Sequence, residues 1–266
     1  MSWLWCIALL VCVQAGAEAA QTGQSAAHPQ ARTQQERDDF NAAYAVRGPA
    51  AAEAAANDFA ARYPESELRH YLYSSAMLQY QHENDSARML AMGEKVLALD
   101  PDNSLALVLT ATALADTLGD HDHDREKKIA AIKRNANRAI QSADTSFSPS
   151  ATGEAPTAAL YKTTLQSMAY SALGIMKLKT GDDAGAEKDL QLAAELTKVR
   201  PDPYVWYHLA LAQDHRKKYS AALNSVEQAL QLASSNPELQ RLAEAEHERL
   251  AALAKGPRNS GPAGPQ

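Results

Sequence analysis

Apolar residues recur every three or four positions through most of this chain, which is the spacing of helices that bury one face. Gly and Pro residues interrupt the pattern at intervals, and such residues end helices. The interruptions divide the chain into helices of about 12 to 20 residues that follow one another in pairs. They fall at Gly48-Pro49, Asp100-Pro101, Gly119-Asp120, residues 144–156, Gly181-Asp182, Arg200-Pro201 and Asn236-Pro237. The pattern predicts an all-α fold.

The clearest helix pair reads PDPYVWYHLALAQDHRKKYSAALNSVEQALQL. Its first helix carries Trp206, Leu209 and Ala210, and its second helix carries small residues at Ala222 and Ala229. This pair resembles the tetratricopeptide repeat (TPR), in which a Trp-x-x-Leu-small pattern on helix A meets small residues on helix B. The resemblance implies that the two helices approach each other closely at these alanines.

Two more pairs follow the same pattern with substitutions. In the pair just upstream, Tyr170 takes the place of the Trp and Gly174 the place of the small residue. Another pair has Tyr73 in the Trp place, but Met77 and Met89 stand where the repeat has small residues. We therefore expect looser or shifted packing in that pair.

Degenerate pairs cover residues 36–65 and 104–143, so the resemblance extends over residues 36–233. It implies a right-handed α-solenoid of about five helix-turn-helix repeats, each about 34 residues long. A last helix is predicted over Pro237–Lys255, with Asn236 as its N-cap and a Pro at its first position. A polar terminal helix of this kind caps a solenoid.

The predicted repeat domain, residues 36–255, lies between segments of different composition. Residues 20–35 are polar and rich in Gln, which predicts a flexible spacer. Residues 256–266 are dominated by Gly and Pro, which predicts a disordered tail.

Residues 1–19 have the features of a secretory signal peptide. The apolar run WLWCIALLVCV is shorter than the roughly 20 residues that cross a bilayer, and A-x-A patterns ending at Ala17 and Ala19 follow it. The segment departs from the usual pattern because no basic residue precedes the run, the first being Arg32. We expect an exported protein, periplasmic or secreted, with no membrane association beyond the signal peptide.

Both cysteines of the chain, Cys6 and Cys12, lie inside this segment. A chain cleaved after it therefore holds no thiol, which excludes disulfides and cysteine ligands. Lipid attachment at Cys12 is the alternative, and it is disfavoured because Val11 stands where a small residue is needed.

The charge distribution and the absence of known catalytic motifs argue against nucleic-acid binding and enzyme activity. The net charge of −6 comes from interspersed acidic and basic residues, and no basic stripe suggests a nucleic-acid partner. The chain has no G-x-S-x-G, no H-E-x-x-H and no Gly-rich phosphate loop. We expect no enzyme activity, no catalytic residue, no cofactor and no small-molecule substrate.

Two histidine clusters are candidate metal sites. The tract His121-Asp122-His123-Asp124 alternates ligand types in a loop, but its spacing matches no recognised site. His208 and His215 lie two turns apart on one helix, which offers only two ligands. We interpret the tract as a solvated turn that caps the next helix, and we predict no metal site.

The TPR resemblance implies that the helix A residues line a groove that binds a protein or peptide segment. The Lys and Asn set with which some family members clamp a terminal carboxylate is missing here. A Leu or Tyr on a helix is more often a core residue, so packing stays an alternative for each predicted contact. The predicted function is an adapter, and the alternative is a structural subunit of a cell-envelope assembly. The predicted contacts are Tyr71, Ser74, Leu78, Leu107, Ala111, Ile175, Tyr204, Tyr207, His208 and Leu211.

Overall fold

The computed structural model of the chain describes residues 30–146 and 155–254. This part of the chain holds eleven α-helices and no strand, which confirms the predicted all-α class. The helices are α1 (Gln34–Tyr44), α2 (Pro49–Arg62), α3 (Arg69–His82), α4 (Ser86–Leu99), α5 (Ser104–Thr117), α6 (Arg125–Ser146), α7 (Ala155–Lys179), α8 (Asp183–Leu196), α9 (Pro203–His215), α10 (Tyr219–Leu232) and α11 (Pro237–Ala254). The predicted signal peptide, most of the spacer and the predicted tail lie outside the described residues.

Helix boundaries follow the Gly and Pro residues of the sequence. α2 begins at Pro49, and Gly48 before it has φ 87°, a left-handed conformation that Gly adopts readily. α6 and α7, with 22 and 25 residues, are longer than expected. α6 continues to Ser146 because neither Gly nor Pro stands between Ser142 and that residue.

The chain divides into two compact units, with unit 1 ending at Ala106 and unit 2 beginning at Leu107. Within unit 1, α2 packs on α1 and α3, and α3 packs on α4. Within unit 2, each helix from α6 to α11 packs on the helix that precedes or follows it in the chain. This sequential packing confirms the predicted architecture of helix pairs.

Three pairs, α3–α4, α7–α8 and α9–α10, share one turn geometry. Asn84, Gly181 and Lys217 follow the first helix of each pair in the left-handed region, with φ 61°, 81° and 59°. The next N–H then bonds back to a carbonyl five residues earlier, the six-to-one bond of the Schellman motif. These bonds are Asp85 to Tyr80 at 3.0 Å, Asp182 to Lys177 at 2.9 Å and Lys218 to Gln213 at 2.9 Å. The three pairs therefore share one conformation at the turn between their helices.

Small residues hold the paired helices close, as the repeat pattern predicts. A Cβ placed on Gly174 of α7 would lie 2.6 Å from Leu190 Cγ of α8, so no larger residue fits without movement. Ala222 and Ala229 of α10 are fully buried in one cluster with Ala210 of α9. The close approach of α9 and α10 thus depends on side chains no larger than a methyl group.

The last helix begins as predicted. Asn236 caps α11, because its side-chain Oδ1 accepts a hydrogen bond from the N–H of Leu239 at 3.1 Å. Pro237 occupies the first helical position, where its missing N–H costs no hydrogen bond. Leu239, Ala243 and Leu250 of α11 are buried, and the helix packs on α10.

Candidate functional site

α9 positions most of the predicted contact residues of unit 2, and its start is fixed locally. Asp202 is its N-cap, and its Oδ1 accepts a hydrogen bond from the N–H of Tyr204 at 2.8 Å. Pro203 occupies the first position. The cap and the Pro together fix where α9 begins, and the packing of its apolar side chains decides which residues face the core.

One face of α9 packs against α8. Leu209 and Ala212 form a buried cluster with Ala186 and Leu190 of α8. Val205, one turn earlier, packs with two further α8 alanines. This face is an ordinary part of the core, because its residues touch apolar neighbours and are almost completely shielded from water.

A second face packs against the helices that follow. Ala210 is buried with residues of α10 and with Ala243 and Leu250 of α11. Trp206 lies between the two faces and packs against both of these clusters and against the cluster around Val205. The indole therefore joins α8, α9 and the α10–α11 pair.

α9 has a third face, beside the two that pack on α8 and on the core formed with α10 and α11, and we call it the α9 stripe. Tyr204, Tyr207, His208 and Leu211 stand at i, i+3, i+4 and i+7, the spacing of one helix face. All four are half-buried. The helix thus carries two tyrosines and a leucine that the core shields only in part, on a face where a purely structural helix would carry charged residues.

The two tyrosines differ in how they are held. The Tyr204 hydroxyl accepts a hydrogen bond from Asn236 Nδ2 at 2.8 Å, so the residue that caps α11 also orients this ring. Tyr207 packs on the buried cluster that Ala210 forms with α10 and α11. It also makes an edge contact with His208, with ring centroids 5.7 Å apart. Burial raises the pKa of both phenols, so both are protonated at neutral pH.

Burial has the opposite effect on the neighbouring imidazole, whose charged form carries a proton. It lowers the pKa of His208, so this side chain is neutral at pH 7. The stripe is therefore aromatic and uncharged at neutral pH, and it can take part in contacts with an apolar or amphipathic partner surface.

Other predicted contacts lie elsewhere. Leu107 and Ile175 are nearly fully buried, 2% and 1% exposed, and Ala111 is also buried. These three side chains offer no surface to a partner in this structure. In unit 1, Ser74 and Leu78 are half-buried, whereas Tyr71 is exposed.

Tyr71 has aromatic neighbours that were not predicted as contacts. Its ring centroid lies 6.5 Å from that of Phe40, which in turn stacks on Tyr44 at 5.6 Å. Tyr44 is 37% exposed and Tyr71 36%. The degenerate sequence of the first helix pair gave no register from which Phe40 and Tyr44 could be placed beside Tyr71.

One residue of each histidine cluster makes a local contact, Asp122 in the loop tract and His215 on α9. Asp122 Oδ2 accepts hydrogen bonds from the Gly119 N–H at 3.0 Å and from Lys128 Nζ at 2.8 Å, and the backbone bond is the first cause that lowers its pKa. His215 Nδ1 lies 3.0 Å from Asp183 Oδ1 on α8. Within residues 30–146 and 155–254, no three His, Cys, Asp or Glu residues come together as a metal site would require. Among the helices described, none has the length and apolar character needed to cross a bilayer.

Comparisons with known proteins give a faint likeness. No protein-family model and no curated protein matches the chain. Among solved structures, it is similar to TTC0263, a thermophilic TPR protein of Thermus thermophilus, at 14% identity over 79% of this chain and 98% of that one, with a TM-score of 0.49. It is also similar to the APC/C hetero-tetramer Cut9-Hcn1, at 17% identity over 82% of this chain and 43% of that one, with a TM-score of 0.37. The fold described above therefore rests on the helix pairs and the shared turns of this chain, and not on these two similarities.

Proposed function

We propose that this protein is an exported adapter that binds a segment of a partner protein on the α9 stripe, formed by Tyr204, Tyr207, His208 and Leu211. The observation that carries the proposal is the packing of α9. Its other two faces meet α8 and the α10–α11 pair, and the stripe keeps large, uncharged side chains that are only partly buried. Surface tyrosines of this kind are enriched among the residues that dominate binding energy.

The stripe suits a peptide or helix with an apolar face. Tyr rings supply a large apolar area with a polar tip, and few rotatable bonds must be fixed when they bind. The hydrogen bond from Asn236 already orients Tyr204, which lowers the entropy lost on binding. Export is proposed because the apolar run of residues 3–13 is followed by A-x-A patterns.

The test begins with affinity capture of a partner from the envelope or secreted fraction. Binding of that partner is then measured for Tyr204→Ala and Tyr207→Ala, each of which should lose about 2 kcal/mol if it is a main contact. Tyr219→Ala on α10 is the matched control, because this tyrosine packs on the same cluster and lies outside the stripe. Unfolding temperatures separate lost contacts from lost stability.

Wild-type affinity in both stripe variants, with folding intact, would show that the α9 stripe does not bind the partner. The alternative function, a structural subunit of a cell-envelope assembly, would then be favoured, and one observation supports it. Phe40, Tyr44 and Tyr71 place a second partly exposed aromatic group in unit 1, as a subunit with several neighbours would need. Capture of two or more different proteins, of which one is lost in a Tyr44→Ala variant and the others are kept, would support an assembly role.

A further inference from the structure

Unit 1 contains a trough of about 380 Å³ that no predicted contact residue lines. It lies between α2 and α4, and Tyr80 of α3 reaches its base. Its walls are short, because Ala50 and Ala54 of α2 and Ala91 of α4 carry only methyl groups and are exposed. The trough is therefore open to a side chain or a helix edge from outside.

A hydrogen-bonded group joins the three helices at one point of the trough. The Tyr80 hydroxyl donates to Glu53 Oε2 on α2 at 2.6 Å and accepts from Arg88 Nη1 on α4 at 3.1 Å. Tyr80 itself is only 2% exposed, so its hydroxyl is a fixed point to which both charged partners bond. Glu53 is the one carboxylate among the described residues that line the trough.

A second group, in which a tyrosine of α3 contacts a polar residue of α2 and a cation of α4, is found further along these helices. Asn57, one turn after Glu53, accepts hydrogen bonds from the Tyr73 hydroxyl at 3.2 Å and from Lys95 Nζ at 2.9 Å. Lys95 also lies 4.9 Å from the Tyr73 ring centroid. Two tyrosines of α3 thus contact two cations of α4, of which Arg88 lines the trough and Lys95 bonds to Asn57 in its wall.

These cations have hydrogen-bonding capacity to spare. The Arg88 side chain is 58% exposed, and its nearest carboxylate is Asp85 at 3.8 Å. Arg88 and Lys95 are seven residues apart, so they lie on one face of α4 at about 10.5 Å along the axis. A ligand that meets both cations needs two acidic groups at about that separation.

We propose that this trough binds a helix of a partner protein that carries acidic residues seven positions apart. Positions i and i+7 of a helix lie on one face about 10.5 Å apart, whereas same-face residues of an extended chain lie about 6.7 or 13.4 Å apart. The charges of Arg88 and Lys95 are complementary to the two acidic side chains. Side chains at i+3 or i+4 of the partner helix enter between Ala54 and Ala91, where ridges pack into a shallow groove.

The probe is a side-chain-stapled helical peptide of about 15 residues with Glu at i and i+7 and Leu at i+4, a spacing set by the helix rise. Its binding to the full chain is followed by fluorescence anisotropy. Arg88→Gln and Lys95→Gln should each weaken binding about two- to fivefold, the range for exposed ion pairs. Ala91→Leu fills the trough without touching a charge, and it should abolish binding while the unfolding temperature is kept.

Three controls make the result specific. Arg241→Gln, an exposed cation of α11, should leave the affinity unchanged. Arg88→Glu should lose the probe and regain binding to a peptide with Lys at the matching position. A peptide of the same composition with two Pro residues, which cannot form the helix, should not bind.

Any of three results would overturn the proposal. The first is absence of binding to the Glu probe. The second is wild-type affinity in Ala91→Leu, and the third is equal binding of the Pro-containing peptide. Failure here leaves the α9 stripe untouched, because the residues and the probe are different.

Discussion

Lys218 Nζ lies 3.0 Å from Oε1 and 2.9 Å from Oε2 of Glu187, so one ammonium group contacts both oxygens of a carboxylate that is only 4% exposed. Arg216 donates a further hydrogen bond to the same carboxylate. Glu187 belongs to α8, whereas the two cations flank Lys217 in the turn between α9 and α10. The ion pair therefore ties one structural repeat to the next.

Glu187→Gln should destabilise the protein by about 1 to 3 kcal/mol, because the buried group loses its charge-assisted hydrogen bonds. Burial alone would raise the pKa of Glu187. The hydrogen bonds from Lys218 and Arg216 outweigh that effect, so the pKa lies below its ordinary value. This stabilisation is present above the unfolded-state pKa and is lost as the pH falls through the lower folded pKa. Unfolding curves at pH 7 and below pH 4.5 measure both effects.

The variant should lose less stability than wild type on acidification, since it lacks the titrating carboxylate. Glu195→Gln, an exposed residue of the same helix, is the control and should change little. Equal acid sensitivity of wild type and Glu187→Gln would show that this pair does not set the pH dependence.

Lys217→Gly should stabilise the protein by about 0.5 to 1 kcal/mol, because Lys217 is exposed and has φ 59°, a conformation that costs a residue with a Cβ more than Gly. Lys217→Ala keeps the Cβ and should give no such gain. Asn84→Gly should gain less, since Asn tolerates the left-handed region better. Chemical denaturation gives the free energy of unfolding of the three variants. A loss of stability in Lys217→Gly would refute the explanation.

Ala222→Leu or Ala229→Leu should cost about 1 to 3 kcal/mol, because both alanines are fully buried between α9, α10 and α11 and a larger side chain forces these helices apart. Gln228→Leu, at an exposed position of α10, adds a leucine without overpacking and serves as the control. Thermal unfolding gives the comparison. Unchanged midpoints in both alanine variants would contradict the packing described for this pair.

The mature chain should begin at Glu18 or Ala20, because the A-x-A patterns end at Ala17 and Ala19. Intact mass or N-terminal sequencing of protein from the extracytoplasmic fraction checks this. Recovery of a full-length chain from the cytoplasm would contradict both the cleavage and the proposed export.

Helix boundaries were predictable because they depend on local chemistry. The Asn236-Pro237 step gave the start of α11, since one side chain caps the helix and the next lacks an N–H at a position that needs none. The α9 register also placed Tyr204 and Tyr207 on one stripe. Local rules of this kind act within a few residues and leave a mark in the sequence.

Features that join distant residues were not predictable. Glu187 and Lys218 are 31 residues apart, and no pattern marks them as partners. The burial of Leu107 and Ile175 likewise depends on which neighbours cover them, and not on their own helical spacing. The α2–α4 trough arises because exposed alanines of two helices and the Tyr80 side chain line the same space, although each alanine alone is typical of a helix surface.

Trp206 has a practical consequence for optical work on this protein. The chain contains three tryptophans, and Trp3 and Trp5 lie in the segment that export is expected to remove. In the processed chain, indole emission would come from one residue, which touches the clusters shared with α8, α10 and α11. It adjoins Tyr207, so the wavelength and lifetime of that emission would report on packing in unit 2 and on occupancy of the α9 stripe without an added label.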